Sequence, residues 1–194
     1  MKPWNRSILR NMFMSTLSFI VLVATILLLS VEDSAAYTTE RSLFTDYQPA
    51  ITERIDASGF KHPGVGLTKA VLENMRDEVR GQKEPWYSYY KAMTTSSSAS
   101  RTVVSSNQSA ADSTKPASTT FNSQGMNAHF IADGLKVYTQ ALMYYITGDE
   151  VYRANAMRII RIWEQIDPTK YGYLTDGHIH TGIPLNRMVT GAEI

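Results

Sequence analysis

Apolar residues recur in steps of three and four along most of this chain, and the clearest run lies between Leu135 and Trp163. Ile131, Leu135, Tyr138, Leu142 and Tyr145 fall on one face of a helix. Thr147-Gly148-Asp149 then breaks the period. Gly148 suits the left-handed residue that ends a helix, and Asp149 suits the cap of the next one. Tyr152, Ala156, Ile159, Ile160 and Trp163 repeat the pattern. A turn this short predicts two antiparallel helices packed on each other.

The same period predicts a helix after Thr68, with Val71, Leu72, Met75 and Val79 buried and Gly81 as its end. Glu73 with Arg76 and Asp77 with Arg80 would pair on its outer side. Pro85 suits the first turn of a further helix, with Trp86, Tyr89, Tyr90 and Met93 inward and Tyr87 outward. Ala128–Ile166 is the central hairpin, stopped by Asp167-Pro168. Thr169–Gly182 is expected to be a connection, and Pro184 opens a last helix with Leu185, Met188, Val189 and Ala192 inward. No period-two alternation rises above this signal, so the fold class expected is all-α.

Two regions fall outside the pattern. Residues 37–61 show no sustained period and are expected to form a linker or extended arm. About half of residues 94–125 are Ser or Thr, with few apolar positions. Such a composition argues against a packed core there and for a surface loop.

The N-terminus has the organisation of a signal peptide. Lys2, Arg6 and Arg10 precede an apolar run from Leu17 to Leu29, and Ser34-Ala35-Ala36 offers small residues for cleavage. Residues 1–36 are therefore expected to be removed, leaving a secreted or periplasmic protein. The alternative is an uncleaved segment, Met12–Val31, that anchors it in the membrane. The chain has 194 residues, a formal net charge of +1 and no cysteine. Disulfides, thiolate metal sites and a thiol nucleophile are excluded. Loss of residues 1–36 removes three basic and two acidic side chains and leaves a formally neutral remainder. No basic stripe remains, so nucleic acid is not an expected partner.

Taken in order, His62-Pro63-Gly64 before a helix, Gly81-Gln-Lys-Glu-Pro-Trp86, Ala141-Leu-Met-Tyr-Tyr-Ile-Thr-Gly-Asp149, Tyr152, Arg158-Ile-Ile-Arg-Ile-Trp163 and Gly191-Ala-Glu-Ile194 carry a resemblance. From residue 62 to 194 the chain resembles the N-terminal part of the alginate lyase family of polysaccharide lyases. The resemblance implies an (α/α) toroid, here incomplete, built from antiparallel helical hairpins. It implies eliminative cleavage of alginate or a related uronate polymer, an anionic polysaccharide partner and no cofactor. It also implies an Asn-His pair and a Tyr for the chemistry. No contiguous Asn-His pair occurs in the sequence, so a truncated domain with weak or no activity on its own is expected.

β-Elimination beside a uronate carboxylate requires charge neutralisation, a base for the C5 proton and an acid for the leaving oxygen. His178 and His180 are candidates: in an extended Asp176-Gly-His178-Ile-His180 segment, Asp176 and both His would share one side. With three potential ligands a zinc site would be one short, so no metal is expected. His129 is a third candidate. Asn127 is read as a helix cap or a substrate contact, Tyr87 as an exposed sugar platform, and Arg187 as a partner for a substrate carboxylate. Trp163 is read as core. Asn107-Gln-Ser109 matches a glycosylation sequon. A glycoside hydrolase on the same scaffold would need two carboxylates, available among Asp133, Glu164, Asp176 and Glu193. A non-catalytic chain, either a truncated or degenerate fragment or a carbohydrate-binding helical module, is the third reading.

Overall fold

The computed structural model describes residues 44–64, 67–172 and 176–194. The signal segment and the first part of the arm lie outside the described residues. The described chain is mostly helical. Two short strands, β1 (Arg54–Ile55) and β2 (Lys61–His62), pair antiparallel, with Arg54 opposite His62. Five α-helices follow: α1 (Lys69–Arg80), α2 (Trp86–Thr94), α3 (Gln124–Thr147), α4 (Glu150–Trp163) and α5 (Gly177–Glu193). Among the described residues no helix is long and apolar enough to cross a membrane.

The central hairpin forms as its sequence predicts. Gly148 has φ 76°, and its N–H bonds the Tyr144 carbonyl. A Cβ there would fall 2.0 Å from the Tyr47 carbonyl oxygen, so the position requires glycine for space as well as for conformation. Asp149 caps α4 by accepting from the Val151 N–H. Tyr152, Ala156, Ile159 and Trp163 are buried. The phase of α3 differs from expectation. Ile131 and Leu135 are exposed, and Met126, Phe130, Val137 and Ala141 face inward. Two buried polar residues, Asp133 and Gln140, share that inward side and hid its period.

Helix α1 is capped by Thr68 and ends at Gly81, as read. Leu72 and Val79 are buried and Val71 is exposed. Its arginines reach further than helical pairing predicts. Arg76 bonds the Pro49 carbonyl, and Arg80 bonds the carbonyls of Thr45 and Ile146. Helix α2 is rotated from its expected phase: Tyr87 and Tyr90 are buried, and Tyr89 is 67% exposed. Tyr87 and Tyr90 pack with Val79, Met143, Ile146 and Tyr152.

The Ser/Thr-rich stretch is irregular and exposed or half-buried over residues 108–120, but against expectation its two ends enter the core. It contributes Ala99, Val103 and Phe121 to the core. Val103 and Phe121 pack with Met126, Phe130, Ile159 and Trp163. Polar residues do the rest. Ser98, Ser105 and Asn107 are buried. Asn107 donates from Nδ2 to the Ser118 carbonyl and accepts from the Ser118 N–H, which closes the stretch on itself. The sequon asparagine is thus 1% exposed and has no free amide for a glycan. The arm is also tied down. Ile51 is buried against Leu72 and Tyr145, and the Thr45 N–H bonds the Thr147 carbonyl.

Helix α5 begins seven residues before the proline expected to open it, so Pro184 lies inside it. Pro184, Met188 and Gly191 face inward, whereas Leu185, Val189 and Ala192 are exposed. Helices α3 and α5 run in the same direction, because Asn127 meets His180, Gly134 meets Pro184 and Tyr138 meets Gly191. A Cβ on Gly134 would lie 2.7 Å from the Pro184 carbonyl oxygen, and one on Gly191 would lie 3.2 Å from the Tyr138 Cα. These two glycines let the backbones approach. At the far end of α5, Glu193 accepts from the Gly64 N–H at 3.0 Å and pairs with His62 Nδ1 at 2.7 Å.

Candidate functional site

The start of α3 and the start of α5 meet at a pair of polar side chains. Ser123 caps α3 by accepting from the Met126 N–H. That moves Asn127 from the expected cap into the helix, where it is 2% exposed. The Asn127 Nδ2 donates to His180 Nδ1 at 2.6 Å. The neutral imidazole then carries its own proton on Nε2. The other amide atom, Asn127 Oδ1, is buried without a hydrogen-bond partner among the described residues. A buried polar atom left unpaired costs roughly 1–3 kcal/mol, so such an atom calls for a reason.

Tyr171 stands beside this pair. A parallel bridge to Phe121 holds its backbone, and its ring stacks on the Phe121 ring at 5.4 Å. Its hydroxyl lies 3.0 Å from Thr181 Oγ1, on the residue after His180. An amide, an imidazole and a phenol therefore converge on the first turns of α5. All three can donate and accept hydrogen bonds while neutral.

The helical start of α5 separates the residues that an extended chain would bring together. His178 and His180 are two apart, about 200° around a helix. His178 is exposed and His180 is half-buried. Asp176 precedes the helix with φ 59° and makes no side-chain cap bond. No group of three metal-ligating side chains occurs among the described residues. His129 is exposed, two residues past Asn127 and so on another side of α3. Arg187 is half-buried, seven residues after His180 and so on the same side of α5. Tyr87 is withdrawn from the surface into the core, which removes it as a sugar platform.

Two of the four hydrolase carboxylates are also occupied. Asp133 is fully buried and accepts from Ser105 Oγ at 2.5 Å, the Ser106 N–H at 2.9 Å, Lys136 Nζ at 2.8 Å and Trp163 Nε1 at 2.8 Å. Glu193 is bound to His62 and Gly64. A carboxylate so engaged has its oxygens committed to protein donors rather than open to a substrate. The Asn127–His180 contact was not legible in the sequence, because its members stand 53 residues apart.

No family model, curated protein or solved structure matches this chain.

Proposed function

We propose that this chain is a polysaccharide lyase that cleaves alginate or a related uronate polymer by β-elimination on an (α/α) toroid scaffold. The observation that carries the proposal is the Asn127–His180 hydrogen bond with the Tyr171 hydroxyl on the adjoining Thr181. An Asn, a His and a Tyr are the residue types that the resemblance calls for. They are also the types that elimination needs. The parallel course of α3 and α5, with α4 antiparallel to α3, is the local arrangement expected of successive hairpins in a toroid.

In the proposed reaction the substrate carboxylate accepts from the His180 Nε2–H, and Arg187 on the same side of α5 adds positive charge. Neutralising that carboxylate makes the C5 proton acidic. The Tyr171 hydroxyl first gives its own proton to solvent; the phenolate then takes the C5 proton, the C5 electron pair forms the C4=C5 bond, and the C4–O bond breaks. Tyr171 then returns the proton to the leaving oxygen. Asn127 fixes the imidazole tautomer, as partners of functional imidazoles commonly do.

The test is incubation of the protein with alginate while following the ultraviolet absorbance of the unsaturated uronate. We expect product from the wild type, and loss of about 10²-fold or more in H180A and Y171F, the range for a lost acid–base group. Reducing ends without the unsaturated chromophore would mean hydrolysis and would overturn the proposal.

A further inference from the structure

A cavity opens elsewhere, lined by none of Asn127, Tyr171 and His180. It has a volume of about 500 Å3, within the range of ligand pockets, and runs along α4 beside the Ser/Thr-rich stretch. Arg153, Arg158 and Arg161 line it with Met157, and Ser113 and Thr114 form the opposite wall. Arg153 and Arg161 stand eight residues apart, about 12 Å along a helix.

Ordinary structural roles account for only part of this cluster. Arg158 bonds the Val103 carbonyl and Asn155 Oδ1, but its Nε–H is buried without an acceptor. Arg153 meets Glu150 only at 3.6 Å and is 58% exposed. Arg161 is exposed and makes no ion pair among the described residues. Arg161 suits the negative end of the α4 dipole, whereas Arg153, near the positive end, does not. Like charges at this spacing repel. The opposite wall brings one nearby carboxylate, Asp112, already bonded to the Thr114 N–H and hydroxyl. The chain beyond residue 36 is formally neutral, so this charge is local.

We infer that this groove is a second binding site for a polyuronate chain, distinct from the Asn127–His180 site; the choice of ligand rests on the lyase reading. A polyuronate presents a planar carboxylate on each ring, and a guanidinium binds a carboxylate through two parallel hydrogen bonds. Met157, exposed between Arg153 and Arg161, offers an apolar contact to a ring face, and Ser113 and Thr114 offer polar groups to hydroxyls. A groove of this kind keeps a long substrate on the protein between cleavages, and its contribution grows with chain length.

The experiment titrates a mannuronate octamer into the full chain carrying H180A, which slows turnover, by calorimetry at low salt. Adding R153Q and R161Q should weaken binding at least tenfold without shifting the thermal unfolding midpoint. Both side chains are exposed, and the structural Arg158 is left in place. Unchanged affinity would overturn the inference, as would equally tight Arg-dependent binding of a single-stranded DNA of the same charge. The two proposals fail separately. Arginine-dependent octamer binding without unsaturated product from the wild type overturns the lyase and leaves the groove. Unsaturated product with arginine-independent binding does the reverse.

Discussion

Helix α3 carries buried polar side chains on two of its sides, and the two sets are finished differently. Toward the Ser/Thr-rich stretch and α4, Asp133 receives donors from four residues. Gln140 there donates to the carbonyls of Ser98 and Ser100 and accepts from Asn155 Nδ2. Toward α5, Asn127 has one partner, His180, and an unmatched Oδ1. The first set replaces an apolar interface with saturated hydrogen bonds, and its groups are committed. The second leaves capacity at a place where helices meet through glycine. A saturated network specifies a fold, whereas the half-exposed His180 imidazole, held by one buried partner, keeps hydrogen-bonding capacity to spare.

The largest expected effect breaks the saturated side. D133A removes an acceptor that is 0% exposed, strands the Trp163 N–H and the Ser105 hydroxyl, and leaves Lys136 with the Val104 carbonyl and Ser106 Oγ but no counter-charge. It should cost about 3–5 kcal/mol, read from urea unfolding. D133N keeps the shape and should cost about half as much. A loss under 1 kcal/mol for D133A would mean that the hub does not organise the fold.

On the other side, N127L should separate stability from activity. We expect alginate elimination to fall about 10²-fold, because the imidazole loses its orienting partner. Stability should move by less than about 1 kcal/mol, since the orphaned oxygen disappears with the amide. If N127L unfolds the protein as readily as D133A, the contrast between the two sides is wrong.

G134A sharpens the comparison further. Its new methyl meets the Pro184 backbone, and overpacking of this kind costs about 1–3 kcal/mol. Alanine returns up to about 1 kcal/mol of helix propensity. A net loss of about 1 kcal/mol is expected, together with a larger fractional loss of activity as Asn127 and His180 separate. Equal unfolding free energies with full activity would show that close contact of α3 and α5 is dispensable.

The smallest effect concerns the clasp between β2 and the end of α5. The hydrogen bond to Glu193, and then that to Asp56, raise the His62 pKa above its ordinary 6.5. The bond to His62 lowers Glu193 below 4.5. A raised His contributes stability that is complete below 6.5 and is lost as pH climbs through the folded value. A lowered Glu contributes stability above 4.5 that is lost as pH drops through its folded value. The clasp is therefore strongest between these two pH values. The protection factor of the Gly64 amide should be highest there and should fall toward pH 8, and H62Q should abolish that fall. A pH-independent protection factor in the wild type would exclude the clasp.

The hairpin of α3 and α4 was legible because its signals are local: Gly148 for the left-handed turn, Asp149 for the cap, and apolar steps along α4. The caps of α1 were legible for the same reason. The phase of α2 was not, since Trp86, Tyr87, Tyr89 and Tyr90 offer two aromatic faces and only the packing of Val79 and Met143 selects Tyr87. The Ser/Thr-rich stretch was misread at its ends because counting apolar residues ignores a core built with Ser105, Asn107 and the Asp133 carboxylate. For α5, Asp176-Gly177 and Pro184 carry loop and helix-start signals, and contact with Gly134 and Val137 outweighs them. The candidate site fared worst. Asn127 and His180 were each singled out for a separate local reason and Tyr171 for none, and only the parallel course of α3 and α5 shows that the first two meet.

The clasp at Glu193 also bears on the order of assembly. It joins positions 131 residues apart in sequence, whereas the α3–α4 turn joins neighbours. Closing a long loop costs entropy that only later contacts repay. The clasp is thus expected to form after the helices have docked and to open before they part. Its opening would free β1 and β2 while leaving Asp133 and its donors intact, making the strand pair the first place where a protease gains a substrate.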